Sequence, residues 1–175
     1  ISDVLILEPE VFEDERGFFF ESFSRERFAS QAGILADFVQ DNHSHSRRGV
    51  LRGLHYQLAP MAQGKLVRVV RGEVFDVAVD LRPSSVTFGR WTSAVLSESN
   101  RRQLWIPEGF AHGFVVTSDA ADVLYKTTRA YSPAHERCIA WNDPDLEISW
   151  PECAPLLSPK DRGGGRLREA PAVGT

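Results

Sequence analysis

The chain has 175 residues, of which 42% are hydrophobic, and a formal net charge of -4 at pH 7. A chain of this length buries about 70% of the surface that its unfolded form exposes, so one domain can fold without disulfides. The mild negative charge gives no reason to expect nucleic acid as a partner. Apolar runs stay below the roughly 18 residues of a membrane span, so no membrane-spanning helix is expected.

The two cysteines and the first residues bear on the cellular compartment. Cys138 and Cys153 are too few and too irregularly placed for a disulfide framework or a metal knuckle, which favours a reducing environment. The start of the chain lacks the basic segment and apolar core of a secretory signal. A cytoplasmic location is therefore expected.

The first elements in chain order are two strands and one helix. Residues 4–8 alternate weakly, residues 17–23 are rich in aromatic side chains, and the two segments flank a turn, which predicts two strands. A helix is predicted between Ser24, which can cap it, and Gly33, which can end it.

The middle of the chain predicts strand after strand. Residues 65–70 and 73–81 are expected to form a hairpin across Gly72, and Asp76 lies on the face that could point into a barrel. Further short strands are predicted at residues 91–96, 103–106, 113–116 and 123–128.

This pattern predicts an all-β fold, a jelly-roll barrel with short peripheral helices. Residues 1–161 are expected to form the single domain. Residues 162–175 are glycine-rich at their start and are expected to form a poorly ordered tail.

Two glycine-bounded segments, well separated in sequence, each carry one histidine, His55 and His112. They are typical of the two halves of a cupin barrel. A metal-binding cupin adds a histidine two residues after the first and a glutamate further on, because a divalent ion needs about three or four ligands. Gln57 takes the first of these positions, and Gly64 and Lys65 lie where the glutamate would fall. A metal-free site is predicted, and a metal-dependent cupin oxygenase or isomerase is disfavoured.

Six blocks of sequence together resemble the dTDP-4-dehydrorhamnose 3,5-epimerase family over residues 12–161. The blocks are residues 14–21, 40–42, 49–57, 65–69, 104–114 and 157–161. The resemblance implies a cupin-type homodimer that exchanges N-terminal strands and uses no metal or organic cofactor. It also implies inversion of C3 and C5 of dTDP-4-dehydro-6-deoxy-D-glucose, to give dTDP-4-dehydro-L-rhamnose in dTDP-L-rhamnose biosynthesis.

Such an inversion needs a base beside the C4 ketone, an electrophile at the enolate oxygen and an acid on the opposite face. His55 suits the base, because an imidazole can be neutral at working pH. Lys65 can place its ammonium near the C4 oxygen. The resemblance assigns Tyr125 as the acid and Asp161 as the partner of His55. Asp76 is a competing candidate for this pairing, or else a partner of His112 or Lys65.

The remaining candidates suit a nucleotide sugar. Arg16 and Arg52 can bind the diphosphate through their guanidinium forks, and Phe19 can cover the thymine. Gln40 and Asn42, on alternate positions of a strand, can reach polar edges of the base or sugar. The resemblance adds substrate contacts from Glu21, His112, Glu136 and Lys160. Tyr131 is expected near the ligand as a packing residue. In the exchanged dimer, Arg16, Phe19 and Glu21 would serve the neighbouring subunit.

Two alternatives stay open. One is an epimerase that acts only at C3 or only at C5 of a related dTDP-deoxysugar. The other is a non-catalytic nucleotide-sugar binding barrel, which would keep the arginines but have no use for base, lysine and tyrosine together. His43, His45 and His135 are expected to be structural or exposed.

Overall fold

The computed structural model of the chain describes residues 1–152, 154–171 and 173. Cys153, Ala172, Gly174 and Thr175 lie outside the described residues. The strands are β1 (Leu5–Leu7), β2 (Phe12–Asp14), β3 (Gly17–Phe19), β4 (Gln40–Arg47), β5 (Leu51–Gln57), β6 (Lys65–Arg71), β7 (Glu73–Asp80), β8 (Trp91–Ser97), β9 (Gln103–Ile106), β10 (Phe110–Val116), β11 (Ala120–Thr127) and β12 (Glu136–Cys138). The helices are α1 (Arg25–Ala32), α2 (Pro159–Arg162) and a 3-10 helix (Leu167–Glu169).

Ten of these strands form two five-stranded antiparallel sheets. The first sheet has the order β1-β9-β6-β11-β4 and the second the order β12-β5-β10-β7-β8. Val67 and Val123 of the first sheet share one buried cluster with Val74 and Phe114 of the second. The two sheets therefore enclose a common core, as the predicted all-β barrel requires.

The hairpin of β2 and β3 stands apart from both sheets. It pairs Phe12 with Phe19 and Asp14 with Gly17. Phe12, Phe18 and Phe19 are all more than half exposed, at 55%, 58% and 69%. An aromatic hairpin of this kind leaves apolar surface uncovered by its own chain.

Helix α1 begins and ends where the sequence predicts. The Ser24 side chain accepts a hydrogen bond from the Arg27 N–H, and Gly33 closes the helix with a φ of 68°. Phe28 of this helix packs edge-on against Phe23, with ring centroids 5.1 Å apart. None of the helices in the described part of the chain is long and apolar enough to cross a membrane.

Part of the stretch expected to be a poorly ordered tail, residues 162–175, packs on the second sheet. Gly165 forms a bridge with Ile139. Leu167 and Val173 are buried in the cluster that also holds Leu54. For these residues the expectation differs from the structure, because apolar side chains that follow the glycines find an apolar surface to cover.

Candidate active site

A cavity of about 480 Å³ opens between the two sheets. Its walls come from β4, β6 and β11 of the first sheet, β5, β10 and β12 of the second, and helix α2. Most of the predicted site residues line it: Gln40, Asn42, Arg52, His55, Lys65, His112, Tyr125, Tyr131, Glu136, Lys160 and Asp161. The structure therefore brings together side chains that are widely separated in sequence.

His55 on β5 lies against Asp161 of helix α2. The distance from His55 Nε2 to Asp161 Oδ1 is 2.7 Å, although the angle at Nε2 falls short of a straight hydrogen bond. The His55 side chain keeps 24% of its surface exposed, whereas that of Asp161 keeps 4%. The imidazole therefore reaches the cavity while the carboxylate stays behind it.

Ser158 caps helix α2 and holds this carboxylate in place. Its hydroxyl donates to Asp161 Oδ2 at 2.6 Å and accepts from the Asp161 N–H at 3.2 Å. The Gly53 N–H donates to Asp161 Oδ1 at 3.3 Å. Burial opposes ionisation, but the contacts with His55, Ser158 and Gly53 outweigh it and lower the pKa of Asp161 to about 2. Asp161 is therefore a fixed negative charge beside His55.

The competing carboxylate, Asp76 on β7, pairs with the other histidine. His112 Nε2 lies 2.9 Å and 3.0 Å from the two oxygens of Asp76. Both side chains are buried. Burial lowers the pKa of His112, and the charge of Asp76 opposes this shift only in part. The two histidines that line the cavity thus belong to separate histidine–carboxylate pairs, and His55 is the more exposed of the two.

Lys65 on β6 is a buried ammonium in the wall of the cavity. Its Nζ donates to the His55 carbonyl oxygen at 3.2 Å. Burial lowers the pKa of Lys65 to about 8, while the charges of Asp76 and Glu136 oppose the shift. A cation held this way is positioned to meet a developing negative charge.

Tyr125 on β11 belongs to the sheet opposite His55. Burial raises the pKa of its phenol, although the nearby Arg52 and Lys160 oppose the shift. The phenol therefore keeps its proton over the neutral range. Because His55 and Tyr125 line one cavity from opposite sheets, a ligand between them would meet one on each face.

A hydrogen-bonded group forms the rim of the cavity. Glu136 accepts from the Tyr131 hydroxyl at 2.7 Å and from Lys160 Nζ at 2.6 Å. Burial opposes ionisation of Glu136, but these two hydrogen bonds outweigh it and lower the pKa of its carboxyl. The Tyr131 N–H donates to Gln40, whose amide in turn donates to Asn42 at 2.8 Å.

Three predicted contacts lie outside the cavity. Arg16 and Phe19 belong to the exposed β2–β3 hairpin, where the Arg16 guanidinium pairs with Asp14. Glu21 lies beyond the hairpin and contacts Arg27 at 3.5 Å. Within the described residues of one chain, these three side chains do not reach the other candidates.

Sequence reasoning missed two residues that shape the site. Ser158 lies in the sequence block 157–161, and a serine that stands before Pro159 and three residues before an acidic residue is a helix-cap signal. Gln57 stands where a metal-binding cupin has a histidine, and from the sequence it indicates only the absence of that ligand. Its side chain instead hydrogen-bonds the backbones of Met61, Ala130 and Ser132, so it anchors the loop at the rim.

Cys138 lies behind the His55–Asp161 pair. One ligand atom from each of the three residues lies within 4.8 Å of the others. Burial, reinforced by the charge of Asp161, raises the pKa of the Cys138 thiol to about 12. A thiol that keeps its proton is a poor metal ligand, because metal binding requires the thiolate.

Groups that can take up and release protons stand on facing walls of this cavity, and the Lys65 ammonium lies on the strand next to that of Tyr125. This is the arrangement of an acid–base enzyme for a small polar substrate.

Comparison with known proteins shows which family of acid–base enzymes the chain resembles. The family model of dTDP-4-dehydrorhamnose 3,5-epimerase matches residues 1–169. A dTDP-4-dehydrorhamnose 3,5-epimerase from Pseudomonas aeruginosa is 61% identical over 171 residues, which cover 97% of this chain and 94% of the relative. The chain belongs to the dTDP-4-dehydrorhamnose 3,5-epimerase family.

Comparison with solved structures also finds epimerases in complex with dTDP-sugars. The chain superposes with a TM-score of 0.95, at 53% identity, on dTDP-6-deoxy-D-glucose-3,5-epimerase from Legionella pneumophila in complex with dTDP-4-keto-L-rhamnose, covering 98% of this chain and 92% of that one. It superposes with a TM-score of 0.88, at 35% identity, on a 3'-monoepimerase from Streptomyces bikiniensis in complex with dTDP-quinovose, covering 95% and 84%. The predicted family and the predicted cupin-type fold are confirmed.

Proposed function

We propose that this chain epimerises C3 and C5 of dTDP-4-dehydro-6-deoxy-D-glucose to give dTDP-4-dehydro-L-rhamnose. The observation that carries the proposal is the placement of His55, paired with Asp161, opposite Tyr125 across one cavity. Membership of the family supports the substrate. A cytoplasmic location is proposed with it, since the substrate is a nucleotide sugar.

In the first step neutral His55 removes the proton from a carbon next to the C4 ketone. The electron pair of the C–H bond moves into an enolate, whose oxygen faces the Lys65 ammonium. The fixed charge of Asp161 stabilises the imidazolium that forms. This division of roles needs no metal ion at the ketone oxygen.

In the second step the Tyr125 phenol donates its proton to the same carbon from the opposite face, and the configuration inverts. The enzyme then holds an imidazolium and a phenolate. A net proton transfer from His55 to Tyr125 through solvent restores both groups. The same cycle at the second carbon completes the reaction, provided that the ring turns to present that carbon.

The nucleotide is bound by residues around and beyond the rim. Arg52 lines the cavity and offers a guanidinium to the diphosphate. Gln40 and Asn42 offer amides at the wall. We propose that Arg16, Phe19 and Glu21 complete this subsite from a partner subunit, because their own chain leaves them outside the cavity. The functional unit is then a homodimer with exchanged N-terminal strands.

A C3-only reaction is the second candidate. The chain is also similar to a 3'-monoepimerase, so the same fold can carry a reaction at C3 alone. The two candidates differ in whether the second carbon exchanges its hydrogen.

Incubation of dTDP-4-dehydro-6-deoxy-D-glucose in D₂O, followed by proton NMR and mass spectrometry, tests the proposal. We expect deuterium at both C3 and C5 of the product. Deuterium at C3 alone would favour the monoepimerase. Binding of the nucleotide sugar with no exchange at either carbon would make the chain a binding protein and overturn the proposal.

Two variants assign the roles. His55→Asn should abolish exchange, because the base is lost while nucleotide binding survives. Tyr125→Phe should retain exchange that His55 catalyses, while formation of the inverted product falls sharply. If the two variants lose exchange and product to the same extent, the assignment of base and acid to opposite walls is wrong.

A further inference from the structure

The side chain of Gln57, at the end of β5, is buried and holds the backbone on both sides of Tyr131. Its Nε2 donates to the Ala130 carbonyl oxygen at 3.2 Å, and its Oε1 accepts from the Ser132 N–H at 2.7 Å. Nε2 also donates to the Met61 carbonyl oxygen at 2.6 Å. One amide group therefore fixes the residues before and after Tyr131 and ties them to the neighbouring loop.

The chemistry of these three hydrogen bonds requires an amide. They use both amide hydrogens of Gln57 and one lone pair of its oxygen. A neutral histidine, which a metal-binding cupin has at this position, offers one donor and one acceptor and could not make all three bonds. Because both amide hydrogens are engaged, Gln57 has no donor left for a substrate. Its influence on the site therefore passes through the backbone that it holds.

Tyr131, between the two held peptide groups, lines the cavity at its rim. Its own N–H donates to the Gln40 side chain at 2.8 Å, and its hydroxyl donates to Glu136 at 2.7 Å. Half of the surface of Tyr131 stays exposed. A ring that is fixed at its backbone and at its hydroxyl can pack against a ligand with little loss of conformational freedom on binding.

We propose that Gln57 is a positioning residue that sets the affinity for the nucleotide by holding Tyr131 in the conformation that binds. This inference rests on the proposed function, because the ligand is the nucleotide sugar. Tyr131 is more exposed than His55 and Lys65, so it lies toward the part of the substrate that extends beyond the reacting groups. When the three hydrogen bonds are lost, the loop can adopt other conformations, and the apparent affinity falls with the fraction that stays competent.

Calorimetric titration of the full chain with dTDP, which lacks the sugar and cannot react, measures this role. Gln57→Met keeps the length of the side chain and removes all three hydrogen bonds. We expect it to raise the Kd for dTDP by about tenfold, because the loop then spends most of its time in other conformations. KM for the nucleotide sugar should rise in parallel, while kcat changes by less than about twofold, since these bonds support binding and not proton transfer.

A double-mutant cycle shows whether the effect passes through Tyr131. Tyr131→Ala should itself weaken dTDP binding, because the packing surface is lost. In that background Gln57→Met should have no further effect, so the double variant should bind dTDP as Tyr131→Ala does. Gln57→Glu is a second variant, which keeps the acceptor for the Ser132 N–H but sets a carboxylate against two carbonyl oxygens. It should give the same pattern.

Thr128→Val is the matched control for a general weakening of the rim. The Thr128 hydroxyl accepts from the Gly64 N–H at 2.8 Å and donates to Glu108 at 3.1 Å. The change therefore removes hydrogen bonds at the same pair of loops without touching the peptide groups beside Tyr131. It should lower the melting temperature, as Gln57→Met does, and leave the Kd for dTDP almost unchanged.

Two outcomes would overturn the role of Gln57. One is an equal loss of dTDP affinity in Gln57→Met and Thr128→Val, because loosening anywhere at the rim would then suffice. The other is a further loss when Gln57→Met is added to Tyr131→Ala, because Gln57 would then act by another route. Exchange of deuterium in the wild type decides the proposed reaction separately. A wild type that binds dTDP and exchanges neither carbon refutes that reaction, and the cycle still decides the role of Gln57. A wild type that does not bind dTDP would overturn both.

Discussion

The two histidines of the cavity are distinguished by their carboxylate partners and by their exposure. His112 is buried with Asp76, and burial lowers its pKa. A neutral imidazole whose Nε2–H points at Asp76 can offer substrate only its other nitrogen, as a hydrogen-bond acceptor. His55 reaches the cavity and has the fixed charge of Asp161 behind it. From these environments we propose the proton-abstracting role for His55 and a binding role for His112.

The first prediction concerns the carboxylate behind the base. Asp161→Asn should lower kcat by about 10²–10⁴-fold with a much smaller change in KM, because the imidazolium loses its stabilising charge. Ser158→Ala is the matched control. It removes one hydrogen bond to the carboxylate but leaves the charge, so its loss of kcat should be far smaller. Similar losses in the two variants would show that the helix position matters and the charge does not.

The second prediction concerns the alkaline limb of the pH profile. Burial lowers the pKa of Lys65 to about 8, so its ammonium is present below that pH and is lost as pH rises. Activity should therefore fall above about pH 8. The pKa of Tyr125 is raised by burial, so its phenol is still protonated there. The measurement is kcat/KM against pH.

Two variants of Lys65 separate this explanation from general alkaline inactivation. Lys65→Met removes the charge and should lower kcat at every pH, by about 10²–10³-fold. Lys65→Arg keeps a charge that does not titrate in this range, so any residual activity should lose the alkaline limb. If the limb survives in Lys65→Arg, another group produces it.

Residue pairings depend on distances across the fold that local patterns do not encode. The sequence allowed Asp76 and Asp161 as partners of His55, because the resemblance assigns Asp161 and Asp76 lies on the strand face that could point into the barrel. The structure separates them, since Asp76 lies on β7 opposite Phe114 of β10, whereas α2 brings Asp161 to β5. A four-residue helix has too little periodicity to be predicted.

At the scale of elements, strands with an apolar face were predicted well and polar strands were not. The alternating residues of β7 identify that strand directly. Strand β4 has no apolar residue over Gln40–Arg47, because one face lines the polar cavity and the other meets solvent. Only its Gln40 and Asn42 were placed on a strand. The three-residue β12 was not predicted at all.

Two glycines explain how β5 and β10 bring their histidines close. Gly53 has a φ of +139°, and a Cβ on it would lie 2.5 Å from the Gly113 Cα. Each strand thus lacks a side chain where the two backbones approach. His55 and His112 are register partners just beyond this point. The close approach therefore sets the spacing of the two imidazoles.

The third prediction follows from that contact. Gly53→Ala should destabilise the protein by at least about 2 kcal/mol, because a backbone atom has to move away from the added methyl group. Gly163→Ala is the matched control, since its Cβ would lie 3.5 Å from the nearest atom, an ordinary contact. Chemical denaturation measures both. A Gly53→Ala variant as stable as Gly163→Ala would contradict the argument.

At the scale of the whole molecule, one chain leaves Arg16, Phe19 and Glu21 outside the cavity that the other candidate residues line. The β2–β3 hairpin exposes Phe12, Phe18 and Phe19, although Arg101 packs over the Phe18 ring at 4.2 Å. An isolated two-stranded hairpin is marginally stable in water, so a second subunit is the natural cover. The same hairpin carries Arg16, which we propose as a ligand of the diphosphate. Exchange of hairpins between two subunits would cover the exposed phenylalanines and also bring Arg16 to the proposed diphosphate site.

The fourth prediction tests the exchange by mixing inactive subunits. His55→Asn and Arg16→Ala homodimers are each expected to be strongly impaired. In a mixed dimer, one site inherits both lesions and the other inherits neither. Random co-refolding of equal amounts should make about half of the dimers mixed, so turnover should recover to about a quarter of the wild-type value.

The control for this recovery mixes His55→Asn with Lys65→Met. Both lesions lie in the cavity of their own chain, so every site of the mixed dimer keeps one lesion and no recovery is expected. Native mass spectrometry establishes that mixed dimers have formed in both experiments. If mixed dimers of His55→Asn and Arg16→Ala form and stay inactive, Arg16 acts within its own chain, and the hairpin then has to fold back toward the cavity of that chain.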